Sequence, residues 1–284
     1  MRILVLGASG MLGNAMFRIM AQGGRHEVFG SARSASVKRF FPSEMANNII
    51  TGVDVENTDA LARLFSHVRP EVVINCIGLV KQLAEADDPL SALPINALLP
   101  HRLARLCELV CARLVHISTD CVFAGRKGNY LETDEADAQD LYGRSKLIGE
   151  VDYPHAVTLR TSIIGHELNS AHGLIGWFLA QQGNVKGFTH AIFSGLPTCE
   201  LARVIRDQVL PHKDLHGLHH VAAQPISKYD LLEIVNREYD KGLKIEPDDN
   251  LKIDRSLNAS RFREATGYVA PAWPDLIAQM CEFR

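Results

Sequence analysis

The sequence predicts an α/β protein: a doubly wound parallel sheet carrying most of the chain, and a smaller mixed α/β lobe. Three observations lead there. First, Arg2-Ile3-Leu4-Val5-Leu6 is a short β-prone run that stops at Gly7-Ala8-Ser9-Gly10-Met11-Leu12-Gly13. It resumes with Leu12, Met16, Ile19 and Met20 at helical spacing, closed by Gly23-Gly24. Second, four strand-like runs alternate with helical patterns before residue 112. Third, the second half has shorter pieces and more loop. The expected division gives 1–163 to the sheet domain, with segments near 191–224 and 252–260 returning to it. Residues 164–190, 225–251 and 261–284 then form the lobe.

Strand, glycine turn and helix in that order read as a dinucleotide site of the Rossmann type. Gly7 supplies the tight turn, Gly10 lets backbone approach a pyrophosphate, and Gly13 lets helix pack on strand. Ser9, Met11 and Leu12 share the turn, whose free N–H groups and positive helix end favour phosphates. The second strand, His26 to Ala32, leads into Ser31-Ala32-Arg33. A hydroxyl and a guanidinium stand there, where an acid would grip a ribose 2′-hydroxyl, so NADP(H) is expected over NAD(H).

A third strand is expected over Ile49 to Val55, placing Asp54 and Val55 near an adenine, and Thr58 is expected to cap the helix after it. Val72 to Gly78 reads as a buried parallel strand whose carboxyl end, Cys76-Ile77-Gly78, faces the cofactor. Asn96 opens a helix over Ala97 to Val110, and strands follow at Leu114 to Ser118 and Val157 to Thr161. Later helices are expected over Gly173 to Gln182, Leu201 to Leu210, Lys228 to Tyr239 (capped by Ser227) and from Pro274 or Asp275 to Met280, with a strand over Leu218 to Ala222 and Gly183, Gly187 and Gly195 in loops.

Composition excludes several roles. With 46% apolar and 22% charged residues the chain reads as an ordinary globular protein, and its net charge of −3 offers no field for nucleic acid or anionic membrane. Six scattered cysteines carry no metal or redox spacing, and the N-terminal apolar run is too short for a secretory signal, so a cytoplasmic protein is expected.

The chemistry is expected where the fifth strand ends, at Ser118-Thr119-Asp120-Cys121, and about twenty residues on at Tyr142-Gly143-Arg144-Ser145-Lys146. Tyr and Lys at i and i+4 share one helix face. A phenol that titrates near about 10 is pulled toward neutrality by the ammonium, so Tyr142 becomes a proton donor while Thr119 hydrogen-bonds the oxygen being reduced. His216-x-x-His219-His220 fails as a metal site, because neighbouring strand residues point to opposite faces, and no metal is expected. Asp87-Asp88 before a proline reads as a loop or helix cap.

Gly7-x-x-Gly10-x-x-Gly13, Ser118-Thr119 and Tyr142-x-x-x-Lys146 together resemble the extended short-chain dehydrogenase/reductases. Ser-Thr-Asp-x-Val-Phe-x-Gly with Tyr-Gly-x-Ser-Lys, continuing into Leu159-Arg160-Thr161-Ser162 and Gly195-Leu196-Pro197-Thr198, resembles more closely their dTDP-4-dehydrorhamnose reductase branch. The resemblance implies NAD(P)H reduction of the C4 ketone of a nucleotide-linked 4-keto-6-deoxy sugar, dTDP-linked or a UDP-linked or 2-acetamido analogue, for surface polysaccharide precursors. It makes Thr119, Tyr142 and Lys146 the triad. Lys81, Asp120, Cys121, Trp177, Lys186 and Arg255 are the substrate-side candidates, Lys186 and Arg255 as clamps for a pyrophosphate. A homodimer is left open.

Two departures from the branch stand out: Cys121 replaces an aromatic, and Cys76-Ile77-Gly78-Leu79-Val80-Lys81 is not its alanine-rich stretch. Cys121 also stands where sugar 4,6-dehydratases carry glutamate, which argues against dehydration. GDP-fucose synthase is similar in having a cysteine two residues after its hydroxyl, so an epimerase/reductase with Cys121 partnered by His166 or His190 is a rival. A small residue that simply makes room is the plainer expectation. A non-catalytic NADP-binding subunit, similar to the regulatory subunit of methionine adenosyltransferase, is the rival from another class.

Overall fold

Ile3, Leu4, Val5 and Leu6 are all fully buried, as a strand covered on both faces requires. They form β1 (Arg2–Leu6) of a seven-stranded sheet in a computed structural model that describes residues 1–79 and 84–284. β2 (Glu27–Ala32), β3 (Ile49–Thr51), β4 (Val72–Asn75), β5 (Arg113–Thr119), β6 (Ala156–Thr161) and the strand Gly217–His220 complete it. Their spatial order is Gly217–His220, β6, β5, β4, β1, β2, β3. The chain runs outward from β1 to β3, then returns across it through β4, so the order reverses beside β1. Ligands bind at that reversal in doubly wound sheets. The pairings β1–β2, β2–β3, β1–β4 and β4–β5 are parallel, in the Rossmann manner expected.

On one face Leu4 and Leu6 of β1, Val73 of β4 and Leu114 of β5 join Leu61, Leu64, Phe65 and Val68 of the helix Thr58–Val68 and Leu99, Leu103 and Cys107 of the helix Leu99–Leu109. Each such aliphatic or aromatic side chain contributes about 1.5–3 kcal/mol by leaving water. On β2, Gly30 is forced: a Cβ there would stand 2.9 Å from the Ala8 methyl and 3.3 Å from Phe17 of the first helix, α1 (Met11–Ala21).

Several element boundaries differ from the sequence expectation, each for a local reason. β3 ends at Thr51, because Gly52 takes φ +78° and turns the chain away. The next helix is capped by Asn57, whose Oδ1 accepts from Ala60 N at 3.0 Å, so Thr58 is its first helical residue. The helix expected over 97–110 starts regularly only at Leu99, behind a π-helical turn over Leu93–Leu98. Pro100 has no N–H to give the Asn96 carbonyl, which leaves that turn widened. The helix expected over 201–210 starts at Thr198 and passes into a second π-helical turn at Ile205. Gly187 lies inside a strand, Asn184–Phe188, not in a loop. The expected strand over 218–222 runs Gly217–His220. The Ser227 and Asp88 caps form as expected, accepting from Asp230 N and Leu90 N at 3.0 and 3.1 Å.

The chain divides into two compact units, 1–118 with 139–159 and 213–218, and 119–138 with 160–212 and 219–284. Residues 119–138, 160–163, 191–212, 219–224 and 252–260 were expected in the first and belong to the second. The reason lies in their pairing: Ala191–Phe193 and Ile253–Asp254 join Ile226–Ser227 in a three-stranded sheet of their own. Two further small pairs, Asn184–Phe188 with Lys244–Asp248 and Ile163–Ile164 with Leu196–Pro197, complete the strands of the second unit.

Candidate active site

In the first unit the glycine turn is built by close approach. Gly7 takes φ +83°, its carbonyl accepts from Gly10 N at 2.9 Å, and a Cβ on Gly13 would sit 2.0 Å from that same oxygen. No side chain caps α1, whose N-cap is Gly10, and Ser9 and Gly10 are exposed. Met11 is half-buried at the helix start, while Leu12 is a core residue. A turn with glycine at each close approach and its outer residues exposed, at a helix start that no side chain caps, suits a pyrophosphate. Ser31 is buried, and its hydroxyl accepts from Gly7 N at 3.4 Å, so it braces the turn. Arg33 is exposed beyond the end of β2. Asp54 is exposed, its carboxylate accepting from Glu56 N at 3.0 Å, while Val55 is packed in the core.

The Tyr142 helix (Leu141–Ile148) starts on Asp140, whose carboxylate accepts from Gly143 N at 2.8 Å. Tyr142 is half-buried and Lys146, one turn on, is buried. Lys146 Nζ donates to the Ile117 carbonyl at 2.7 Å, which fixes the ammonium against the carboxyl end of β5. Burial lowers its pKa to about 8, against the pull of Glu150. Glu150 itself accepts the Ser118 hydroxyl at 2.6 Å. A Cβ on Gly78 would stand 3.4 Å from Asn96 Oδ1 and 3.9 Å from Lys146 Nζ, so the end of β4 and the lysine come together.

Sequence reasoning missed the polar groups behind this lysine. Asn96 is fully buried; its Oδ1 accepts from Leu79 N at 2.9 Å and its Nδ2 reaches Ser145 Oγ at 3.2 Å. The Asn96 carbonyl, to which Pro100 has no N–H to give, is approached by Gly149, where a Cβ would fall 2.0 Å away. Asn75 Oδ1 accepts from Ile77 N at 3.1 Å, which leaves its Nδ2 to meet His116 Nδ1 at 3.1 Å. Burial, then Lys146 and His101, hold His116 well below its ordinary pKa, so it is neutral. A polar residue closing an apolar strand was the available signal for Asn75. Cys76 and Ile77 are half-buried beside it.

In the second unit, Thr119, Asp120 and Cys121 form a turn at the end of β5. Thr119 Oγ1 accepts from Cys121 N at 3.1 Å and donates to Asp120 Oδ1 at 3.1 Å. Arg255 donates through Nε to the Phe123 carbonyl at 2.7 Å and lies 3.7 Å from Cys121 Sγ. The backbone on either side of it is held by Asp254 N to Gly125 O and Tyr130 N to Ser256 O, at 2.8 and 2.9 Å. Gly125 is required, since a Cβ would meet Arg255 Cγ at 3.0 Å. The expected histidine partners of Cys121 are engaged or exposed: His166 Nε2 is 2.8 Å from the Tyr239 hydroxyl and His190 faces solvent. The thiol meets a guanidinium instead. Trp177 is 39% exposed on its helix, and Lys186 lies 3.5 Å from Asp248 Oδ2, paired on the surface. Lys81 falls outside the described residues. Of the histidine triplet, His219 and His220 are buried in a strand, and His220 Nδ1 is 3.0 Å from Tyr130 O. Among the described residues no group of three or more metal-binding side chains occurs, and no helix is long and apolar enough to cross a membrane.

A sheet of this order, a glycine turn after β1, and a Tyr-x-x-x-Lys helix anchored on β5 define an extended short-chain dehydrogenase/reductase. Within that class the chain belongs to the RmlD substrate binding domain family, whose model matches residues 1–280. A curated relative, a dTDP-4-dehydrorhamnose reductase of Mycobacterium tuberculosis, is 32% identical over 170 residues, 57% of this chain and 49% of the relative. The chain thus spans about half the length of that relative. A hypothetical dTDP-4-dehydrorhamnose reductase from Sulfolobus tokodaii matches 96% of this chain and 98% of its own, at 26% identity and a TM-score of 0.78. The dTDP-4-dehydrorhamnose reductase of Bacillus anthracis, solved with NADP, has a TM-score of 0.80 at 20% identity over 100% and 99% of the two chains, which shows the shared fold.

Proposed function

We propose that the chain reduces the C4 ketone of a nucleotide-activated 4-keto-6-deoxy sugar, with NADP(H) preferred over NAD(H). The observation that carries the reading is Lys146: a buried lysine tied to the Ile117 carbonyl, one helical turn from Tyr142, with its pKa lowered to about 8. The Gly7–Gly13 turn and the start of α1 hold the pyrophosphate, and Arg33 meets the 2′-phosphate. A nicotinamide dinucleotide supplies the hydride when bound. Tyr142 gives its phenolic proton to the C4 oxygen, and the Lys146 ammonium steadies the phenolate left behind. Lys146 keeps its place because the Ile117 carbonyl and the burial around it leave it little freedom. Thr119 hydrogen-bonds the same oxygen. The kind of reaction named for the M. tuberculosis and S. tokodaii relatives supports this choice of substrate.

Tyr142→Phe tests it. NADPH affinity should stay within about twofold, while turnover of a dTDP-linked 4-keto-6-deoxyhexose should fall about 100-fold or more. Near-normal turnover would sink the assignment, and no turnover by the parent chain would favour a binding subunit.

One contact favours a second reading. Arg255 beside Cys121 Sγ is the kind of cation that an acid/base thiol needs nearby, which suits an epimerase/reductase in which Cys121 exchanges the proton on the carbon beside the ketone. Deuterium entering C3 or C5 from solvent in the parent chain, and not in Cys121→Ser, would establish that reading. The plainer role, space for the sugar, leaves both chains without exchange.

A further inference from the structure

Asp120 is a buried carboxyl to which the proposed reaction gives no proton-transfer role. Its sequence position suggested a substrate contact, yet its carboxyl group turns to its own neighbours. Thr119 Oγ1 donates to it at 3.1 Å, and the same Oγ1 accepts from Cys121 N. A threonine hydroxyl has one proton and two lone pairs. With Asp120 ionised, that proton is committed to the carboxylate, and Thr119 meets a substrate oxygen only as an acceptor. A ketone has no proton to give it.

We propose that Asp120 is a positioning residue that sets the direction of the Thr119 hydroxyl: the carboxylate holds the Thr119 proton, and the carboxylic acid donates to Thr119 and frees that proton for the substrate oxygen. The inference rests on the reductase reading above. The charges that face Asp120 are Arg255 and Lys228, and Thr119 and Cys121 hydrogen-bond it. Burial raises its pKa above the usual carboxylate value, and Arg255 first, then Thr119, Cys121 and Lys228, hold it back. The acid form therefore persists to a higher pH than an exposed aspartate allows. Reduction is fastest below that raised pKa, where Thr119 donates, and slows as pH climbs through it. One lost donor to a developing oxyanion is worth about 100-fold to 1,000-fold in turnover.

The test is the pH profile of NADPH-dependent turnover of a dTDP-linked 4-keto-6-deoxyhexose, measured in the parent chain, Asp120→Asn, Asp120→Ala, Thr119→Ala and the Thr119→Ala/Asp120→Asn pair. NADPH binding by each chain checks folding. The parent should lose at least about tenfold in kcat across the acidic limb, with KM moving less than about threefold. Both Asp120 variants and Thr119→Ala should lack that limb, and Asp120→Asn should change kcat of Thr119→Ala by less than about twofold at every pH. A limb that persists in Asp120→Asn, or an equal loss on both backgrounds, overturns this inference alone. Parent turnover in Thr119→Ala overturns the inference and leaves the reductase reading standing, whereas no NADPH-dependent turnover by the parent chain removes the reading on which it rests.

Discussion

Replacing Lys146 with methionine should stabilise the fold while abolishing reduction. The ammonium is buried and its pKa falls from 10.5 to about 8, chiefly because burial penalises the charge. Each unit corresponds to about 1.4 kcal/mol, so the folded state carries a burden of about 3 kcal/mol at neutral pH. Methionine keeps the length of the side chain without the charge. It also removes the donor from the Ile117 carbonyl, a loss of about 1–3 kcal/mol, leaving a net gain of up to about 2 kcal/mol. The sign follows from proton counting. Between about pH 8 and 10.5 the unfolded chain holds a proton at Lys146 that the folded chain has released. Folding therefore releases a proton, and parent stability rises with pH through that window while the variant lacks this term. Urea unfolding at pH 7 and pH 10 reads both quantities. The variant's midpoint should lie above the parent's at pH 7, and the gap should shrink by pH 10. A variant less stable than the parent at pH 7, or a gap independent of pH, would refute the argument that Lys146 is held against its own desolvation.

Two further outcomes concern the cofactor side. Gly13→Ala puts a methyl 2.0 Å from the Gly7 carbonyl, so α1 must move off the turn; unfolding should show a loss of about 1–3 kcal/mol, and NADPH titration a weakening of tenfold or more. Arg33→Ala should weaken NADPH about tenfold or more while NADH changes little, since only NADPH has a 2′-phosphate to pair; equal losses in fluorescence titrations would remove Arg33 from that role.

What was legible in the sequence is what neighbours in the chain decide. A strand, a glycine turn and an apolar helix face are written in periods of two and 3.6, so β1, α1 and the turn between them could be read directly. The same holds for the i, i+4 pairing of Tyr142 with Lys146 and for the caps at Ser227 and Asp88, where donor and acceptor lie within three residues. What tertiary structure decided is every property that needs a partner far along the chain. Lys146 meets Ile117, 29 positions away, Asn96 meets Ser145, 49 away, and Arg255 meets Phe123, 132 away. Pro100 and Gly149 look like unrelated residues in the sequence, yet one gives the Asn96 carbonyl no N–H and the other lets a helix close on it. Thr119 could be named from its place after a strand, but the direction of its proton depends on a carboxyl that burial has made hard to ionise. The chain by itself determined which side chains the proposed chemistry rests on; their charge and hydrogen-bond direction came only with folding, because desolvation exists only once the surrounding residues exclude water.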